Sequence, residues 1–239
     1  MTGQDFSRRS TQDELMDTET VSFQEFYQCL RQLEFINICT LAYRPTLQWL
    51  KRMWPHVPLE QNIFILDAGS GGGDMLRQIW KWSQKRSFKV VLMGTDLNPW
   101  SKKSAEEMTS KDIPVSFETA DIFFLNLPQQ PDFIISSLFT HHLTDDELIR
   151  FIRWMDAQAV RGWFINDLHR HPIAYYFIKY VTRIIPANSL IRHDAPVSVA
   201  RSFTASDWKI ILEKSGISQA RTRITWFFPF RYGVACTKT

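Results

Sequence analysis

The chain has 239 residues, of which 44% are apolar and 14% aromatic, enough for one large domain with a sizeable core and a helical extension. Its 28 basic and 25 acidic residues leave a formal net charge of +3, and both signs are scattered along the chain. A nucleic-acid-binding protein would normally concentrate lysine and arginine in one patch, so no nucleic-acid partner is expected.

The same features predict a cytoplasmic protein. Three cysteines without a CxxC motif are typical of reduced thiols in the cytosol. No apolar run approaches the ~20 residues that cross a bilayer, so no transmembrane segment is expected. Polar sequence follows Arg8-Arg9, where a signal peptide would continue with an apolar segment. A monomer and a homodimer are both compatible with this sequence.

Residues 1–60 predict a helical extension that precedes the first strand. The first 20 residues are polar and charged, so we expect them to be frayed or loosely docked. Two stretches have the form of a capping box, Thr11 to Glu14 and Ser22 to Glu25, and the second predicts a helix over residues 22–38. Pro45 fits the first turn of another helix, which later prolines end.

Strand and helix patterns alternate from residue 61 onward. The predicted strands cover residues 62–67, 88–95, 114–119, 132–137 and 161–167. The predicted helices cover residues 74–85, 99–110, 144–157 and 172–185. This alternation predicts an α/β fold with a doubly wound parallel sheet, in which ligands bind beyond the carboxyl ends of the strands.

The C-terminal region predicts one more helix, which begins after Thr204 and stops at Gly216. Two apolar runs follow, at residues 217–226 and 227–237, and they predict an antiparallel strand pair. Pro229 interrupts the second run, so we expect a bulge or a bend there.

The stretch from Ile63 to Met75 contains a buried strand, a glycine cluster and the start of an amphipathic helix. Gly69, Gly71 and Gly73 can take positive φ and lack Cβ, so a ligand can lie against their peptide groups. The spacing does not complete a dinucleotide fingerprint, because Asp74 stands at the third glycine position, and no Gly-Lys-Ser/Thr follows as in a phosphate loop. An acidic residue there would repel a pyrophosphate but tolerate a cationic ligand.

Asp67-Ala68-Gly69-Ser70-Gly71, placed after a strand, resembles the first motif of class I S-adenosylmethionine (SAM)-dependent methyltransferases. Further matches follow in order, since Asp96 ends the second strand, Asp121 ends the third and Ser137 ends the fourth. The fourth strand runs into FTHHL, which is similar to the small-molecule branch that includes ubiquinone, menaquinone and polyketide methyltransferases. The resemblance covers residues 62–167 and continues weakly to the C-terminus. Four such matches at strand–helix spacing are specific, whereas one would be weak.

The resemblance implies a Rossmann-like domain at residues 61–239 with a seven-stranded sheet, closed by an antiparallel C-terminal strand pair. Residues 1–60 would cover the cofactor pocket, and residues 169–203 would form a substrate lid. SAM would be the cofactor and S-adenosylhomocysteine (SAH) the product, with Asp96 holding the ribose hydroxyls and Asp121 near the adenine amine. The implied cofactor-binding residues are Asp67, Ala68, Gly69, Ser70, Gly71, Asp96, Leu97, Asp121, Ile122 and Ser137.

Four of the six histidines follow predicted strand ends. Because imidazole titrates near neutral pH, such a histidine could accept the proton that methyl transfer releases. His142 is the first candidate for a catalytic base, with His169 and His171 next, although each could instead only pack in or shape the pocket. Asn166-Asp167 is a reversed partial match to the metal-binding pair of catechol-type methyltransferases, and His169 with His171 could bind a softer metal. No carboxylate-rich set accompanies these residues, so no metal is predicted.

The segment after the fifth strand predicts how the acceptor is selected. Its helix is apolar or aromatic over much of its circumference. Such a helix fits a lid over a hydrophobic pocket, an interfacial helix that collects a lipophilic substrate from a membrane surface, or plain burial. The predicted substrate-binding residues, here and in the N-terminal extension, are Tyr43, Arg44, His141, Tyr176, Arg192 and His193.

Together these features predict methyl transfer from SAM to a small acceptor that is aromatic, polyketide-like or quinone-like. Oxygen is favoured over carbon as the methylated atom by a modest margin. Methylation of nucleic-acid amino groups is not expected, because Ser136-Ser137-Leu138-Phe139 replaces the Pro-Pro motif that such enzymes use. The alternative is a SAM-binding protein of the same fold that serves as an accessory subunit or catalyses a reaction other than methylation.

Overall fold

A computed structural model of the chain describes residues 4–18, 21–57, 61–127, 129–184 and 187–238. These residues form a seven-stranded sheet with the strand order β3-β2-β1-β4-β5-β7-β6. The strands are β1 (Ile63–Ala68), β2 (Val90–Asp96), β3 (Val115–Thr119), β4 (Phe133–Ser137), β5 (Gly162–Leu168), β6 (Thr222–Phe227) and β7 (Arg231–Thr237). The first five strands pair in parallel, and β7 pairs antiparallel with β5 and β6. The predicted Rossmann-like sheet with an antiparallel C-terminal pair is confirmed.

Helices cover both faces of the sheet, and the first three precede the first strand in the chain. They are α1 (Leu15–Thr18), α2 (Phe23–Cys39), α3 (Arg44–Met53), α4 (Asp74–Gln84), α5 (Pro99–Met108), α6 (Asp145–Gln158), α7 (Pro172–Ile184), α8 (Ser189–Arg201) and α9 (Ala205–Ser215). The Ser22 and Glu25 capping box begins α2 as predicted. Among the described residues, no helix combines the length and the apolar composition that crossing a membrane requires.

The central strand β1 is buried along its whole length. Its side chains alternate between two cores, because Ile63 and Ile65 face the layer that contains α3 and α4, while Phe64 and Leu66 face the layer that contains α6 and α9. A strand buried on both faces reads as a continuous apolar run. Its carboxyl end therefore delivers the glycine cluster to a fixed point between the two helical layers.

The sequence did not predict α8. Asn188 caps its first turn by accepting a hydrogen bond from the Ile191 N–H, and Pro196 lies inside the helix. Most of its apolar side chains are buried around the whole circumference, so the sequence lacks the amphipathic period by which a surface helix is recognised.

The prediction of a frayed N-terminal segment is wrong for residues 4–18. The guanidinium of Arg9 donates to the Leu143 carbonyl at 2.8 Å and lies 4.2 Å from the centre of the Phe203 ring. Glu14 is only 4% exposed, and it does not complete a capping box with Thr11. Instead, the Asp194 carboxylate of α8 caps α1 by accepting hydrogen bonds from the Leu15 and Met16 N–H groups, at 2.8 and 3.0 Å. The polar groups of this segment are thus paired with the C-terminal half of the chain.

The predicted bulge in the last strand is also placed differently. Pro229 lies in the turn that joins β6 to β7, outside both strands. Because proline has no N–H to donate to a sheet ladder, the chain pairs on either side of it, and the second strand begins at Arg231.

Candidate active site

A cavity of about 870 Å³ lies beyond the carboxyl ends of the parallel strands, beneath the N-terminal segment and helices α2, α7 and α8. This is the place where ligands bind in doubly wound sheets. We call the end beside the glycine loop (Gly69–Gly73) and β2 the cofactor half. The end between α2, α7 and α8 is called the acceptor half.

The glycine loop is shaped by backbone that other residues rarely adopt. Gly69, Gly71 and Gly73 have φ values of +74°, +49° and +72°. A Cβ on Gly69 would lie 2.4 Å from the Phe139 ring, so this glycine is needed for packing. At Gly71 a Cβ would meet only Leu30, at an ordinary contact distance of 3.7 Å, and Gly71 lines the cavity.

Asp96 connects the end of β2 to the glycine loop. One carboxylate oxygen accepts the Gly71 N–H and the other accepts the Asn98 N–H, both at 2.9 Å. Burial raises the pKa of Asp96, although these two hydrogen bonds act in the opposite direction. Since a carboxylate oxygen can accept more than one hydrogen bond, both oxygens can also accept from a ligand.

Asp67 lies beneath the loop and is not among the residues that line the cavity. It is only 2% exposed, and its Oδ1 has no hydrogen-bond partner among the described residues. Burial, followed by the charges of Asp74 and Asp96, raises the pKa of Asp67 well above its usual range. A cation bound near this group of acids would favour the charged carboxylate again.

The other predicted cofactor-binding residues all line the cavity. They are Ala68, Gly69, Ser70, Gly71, Asp96, Leu97, Asp121, Ile122 and Ser137. Asp121 is exposed, and its carboxylate accepts the Phe123 N–H at 2.9 Å. The structure thus brings these residues together, and their individual contacts with a cofactor stay predictions.

A buried polar group joins the N-terminal helices to the start of α4. The Asp74 carboxylate accepts hydrogen bonds from the Tyr43 hydroxyl at 2.7 Å and from the Asn37 amide at 3.0 Å. Burial and the Asp74 charge raise the pKa of Tyr43 far above its usual value. Tyr43 lines the cavity as predicted, whereas Arg44 is exposed and does not.

Two histidines on a short 3-10 helix, Thr140–His142, stand at the edge of the cavity after β4. Nδ1 of His141 is 2.7 Å from the buried Asp167 carboxylate, and Nδ1 of His142 is 2.7 Å from the Asp17 carboxylate. Burial disfavours ionisation of Asp167, but the charge and hydrogen bond of His141 lower the pKa of Asp167 to about 2.

Burial disfavours the charged form of His142, yet the hydrogen bond that His142 donates to Asp17 and the charge of Glu14 raise the pKa of His142 overall. The predicted role of His142 as catalytic base stays a prediction. Sequence reasoning missed its partners Glu14 and Asp17, because nothing in their spacing distinguishes them from the other acids of a polar segment.

The second histidine pair lies elsewhere. His169 and His171 do not line the cavity. Nδ1 of His169 accepts the Trp226 indole N–H at 3.3 Å, and the His171 imidazole accepts the Ile173 N–H at 3.2 Å near the start of α7. Burial, followed by the charges of His171 and Arg170, lowers the pKa of His169 to about 4.

The predicted lid contributes different residues from those expected. Tyr176, Arg192 and His193 lie outside the lining, and His193 is paired with Asp194 at 2.7 Å. Their place is taken by other side chains of the same two helices, namely Ala174, Phe177, Ile178, Ile191, Ala195, Ser198 and Val199. A helical pattern locates the wall, but the sequence does not determine which neighbouring side chain faces inward.

Plain burial of α7 is also excluded. Within it, Ile173, Phe177 and Ile184 are 63%, 55% and 84% exposed. Phe177 nevertheless lines the cavity, so an apolar outer surface continues into the acceptor half. A lid and an interfacial helix both remain compatible with this placement.

The comparisons with known proteins agree with this geometry. Residues 65–159, which run from β1 through α6, match a family described as a methyltransferase domain. The strand order around this domain is that of the Rossmann-like fold of class I, SAM-dependent methyltransferases. A search of curated protein sequences finds no match.

Several solved methyltransferase structures share the fold. Magnesium protoporphyrin IX methyltransferase from Synechocystis PCC 6803 with bound SAH is 16% identical, with a TM-score of 0.57 over 92% of this chain and 89% of that chain. The plantazolicin methyltransferase BpumL, in complex with a desmethylated plantazolicin analogue and SAH, is 15% identical, with a TM-score of 0.66 over 94% and 92%. A SAM-dependent methyltransferase from Aquifex aeolicus is 16% identical, with a TM-score of 0.61 over 92% and 100%.

Proposed function

We propose that this enzyme transfers the methyl group of SAM to a small lipophilic acceptor of aromatic, polyketide-like or quinone-like character, at oxygen rather than carbon. The observation that carries the proposal is the continuity of one cavity from Asp96 and the glycine loop to an apolar wall on α2 and α7. Two of the similar structures are methyltransferases of a porphyrin and of plantazolicin, both small molecules. Action in the cytoplasm, as a monomer or a homodimer, belongs to the same proposal.

In the cofactor half, SAM would lie against the open peptide of Gly71 with its ribose hydroxyls on the Asp96 carboxylate. Leu97 and Ile122 line the same half and offer apolar surfaces for the adenine, with Asp121 near its amine. SAM carries a sulfonium and an ammonium group. The acids Asp67, Asp74 and Asp96 surround the loop, and a bound cation favours their charged forms, so the loop suits such a cation better than a phosphate ligand.

The apolar lining of the cavity includes Phe26 and Leu33 of α2 and Phe177 and Ile178 of α7. An apolar acceptor fits between these walls, and the Thr140–His142 turn offers polar groups for a hydroxyl. The volume of about 870 Å³ is at the upper end of the range of roughly 300–1,000 Å³ for ligand pockets. This space fits a cofactor and an acceptor together.

The reaction is a direct displacement. A lone pair of the acceptor oxygen forms the new bond to the methyl carbon, the carbon–sulfur bond breaks, and sulfur keeps the electron pair as SAH forms. The hydroxyl proton of the acceptor passes to water or to the proposed base His142. The protein contributes mainly by holding oxygen, methyl carbon and sulfur in line in a dry pocket, which supplies much of the rate through orientation.

The proposal is tested with SAM that carries a deuterated methyl group and a panel of phenols, hydroxylated polyketides and quinols. We expect at least one acceptor to gain the label at oxygen, as read by mass spectrometry and by loss of the hydroxyl resonance. Labelling at carbon would overturn the assignment of oxygen. Tight SAM binding without transfer to any member would instead favour an accessory role.

A further inference from the structure

Three side chains from distant parts of the sequence converge at the edge of the cavity. Oε1 of Glu14 is 3.6 Å from Nε2 of His141, and Oε2 of Glu14 is 3.9 Å from Nε2 of His142. Glu14 and His141 are buried, at 4% and 3% exposure. All three side chains line the cavity, and their facing atoms lie within 4.8 Å of one another.

The outer nitrogen of each imidazole is already engaged. Nδ1 of His141 contacts Asp167 and Nδ1 of His142 contacts Asp17, both at 2.7 Å. When the imidazole is neutral, a carboxylate in this position holds the proton on Nδ1, and Nε2 presents its lone pair on the other side. Two lone pairs and a carboxylate then face one another, an arrangement that is repulsive unless a positive charge lies between them.

The nearby guanidinium groups are not paired with Glu14, because they donate to backbone carbonyls and lie against two other carboxylates, Asp145 beside Arg9 and Asp13 beside Arg201. Arg201 donates to the carbonyls of His141 and His142 at 3.1 and 2.9 Å. Arg9 donates to the His141 carbonyl at 3.2 Å. Glu14 accepts one hydrogen bond from the Ser198 hydroxyl, at 2.9 Å. The arginines therefore fix the histidine turn and leave the space between the three side chains to another group.

We propose that Glu14, His141 and His142 bind a divalent transition-metal ion. Two imidazoles with one carboxylate suit zinc, iron(II), cobalt or nickel better than magnesium or calcium, which prefer oxygen ligands. Asp167 and Asp17 would be the outer partners that orient the ligating histidines. Ligand atoms around such an ion are about 3–3.5 Å apart. The facing atoms here lie within 4.8 Å of one another, so the side chains would move together by up to about 1–2 Å when the ion binds.

This site was not predicted from the sequence, which indicated no metal. The missing carboxylate is Glu14, in the segment that was expected to be frayed. Because all three side chains line the cavity, an acceptor hydroxyl bound to the ion would lose its proton more readily. That consequence rests on the proposed function, whereas the binding itself does not.

The test uses the full-length protein after EDTA treatment and dialysis, without SAM or acceptor. Cobalt(II) is titrated and followed by its visible absorption, and zinc binding is then measured by calorimetry in competition. We expect one ion per chain. Glu14→Gln and His142→Gln should each weaken binding by roughly 100-fold or more, since even outer partners contribute 10–100-fold.

His169→Gln is the matched control, because it removes an imidazole that follows a strand end but does not line the cavity. We expect it to bind cobalt as the wild type does. Circular dichroism shows whether each variant is folded, and His142→Gln keeps the test valid should Glu14→Gln not fold. The proposal would be overturned if the wild type bound fewer than half an ion per chain, or if all variants bound cobalt with equal affinity. The positive charge between Glu14 and the two imidazoles would then be a proton.

Discussion

The two halves of the cavity are built in different ways. In the cofactor half, the hydrogen bond between Gly71 and Asp96 joins residues only 25 positions apart, within one strand–helix–strand unit. In the acceptor half, the contact between Asp17 and His142 spans 125 positions, and the caps of α1 by Asp194 span 179 and 178. The first half is a local turn held by the sheet, whereas the second is assembled from segments that meet only in the folded chain. Substitutions should therefore separate cofactor binding from acceptor turnover.

The largest effect is expected at Gly71. Gly71→Val should abolish SAM binding, because the side chain would fill the open space in which the cofactor lies against the peptide. Gly216 at the end of α9 is the matched control, since its φ is +73° and a Cβ there would meet nothing within 4 Å. Both substitutions impose similar backbone strain of about 1–2 kcal/mol. Calorimetry should show lost binding in Gly71→Val alone, with similar melting temperatures for both, and retained binding in Gly71→Val would contradict the assignment.

Asp96→Ala should weaken SAH binding by about 2 kcal/mol or more, roughly 30-fold in Kd, because hydrogen bonds to a charged group are lost. Part of that loss could come from release of the Gly71 and Asn98 N–H groups. A dideoxy-ribose analogue of SAH separates the two causes in a double-mutant cycle. The wild type should bind the analogue less tightly than SAH, whereas Asp96→Ala should bind the analogue and SAH with the same affinity. If removal of the ribose hydroxyls weakens binding to the same extent in both proteins, Asp96 does not contact the ribose.

Asp194→Ala should uncap α1 and release the N-terminal segment, at about 1–2 kcal/mol. Limited proteolysis near residues 4–18 should become faster and acceptor turnover should fall, with SAM affinity unchanged. Thr204→Ala is the matched control, since Thr204 caps α9 by accepting the Asp207 N–H and does not line the cavity. A drop in SAM affinity for Asp194→Ala would show that the two halves are coupled.

The second histidine pair should make the stability of the fold depend on pH through His169. Burial and the charges of His171 and Arg170 hold the pKa of His169 at about 4 in the fold, below the value of about 6.5 for an unfolded histidine. The unfolded chain therefore takes up this proton first, so stability that is present above pH 6.5 is lost as pH falls towards 4. The ring is half-buried, so we expect the loss to be about 1–2 kcal/mol.

Urea unfolding at pH 7 and at pH 4.5 measures this loss. His169→Gln should lose less stability than the wild type over that interval, because glutamine has no proton to take up. The exposed His56 provides the control, and His56→Gln should follow the wild type. Identical losses in all three proteins would show that His169 does not titrate as described.

The smallest effect is expected on the outer surface of α7. Phe177 lines the cavity and the neighbouring Tyr176 does not. Phe177→Ala should raise the KM for a water-dissolved acceptor a few-fold, and Tyr176→Ala should leave it unchanged. If both variants are impaired only when the acceptor is supplied in lipid vesicles, α7 serves as an interfacial helix rather than a lid.

The sequence by itself determined the sheet and the cofactor half. The boundaries of the five parallel strands agreed within about two residues, because a buried parallel strand must be apolar along its length, as β1 is. The two antiparallel strands begin four to five residues later than predicted. The glycines at 69, 71 and 73 are read directly from the chain, since positive φ is a local requirement that few other residues meet. Asp96 and Asp121, which end β2 and follow β3, lie on the same side of the sheet because the carboxyl ends of parallel strands meet there.

Only the tertiary structure decided the acceptor half. The pairs His141-His142 and His169/His171 both follow strand ends, yet only the first lines the cavity, because the antiparallel β7 and the β6–β7 turn pack against the second. Glu14 and Asp17 look like solvated acids in the sequence, and only docking against α8 and the histidine turn buries the first and pairs the second. Burial and pairing depend on residues more than 100 positions away, and no local pattern encodes them.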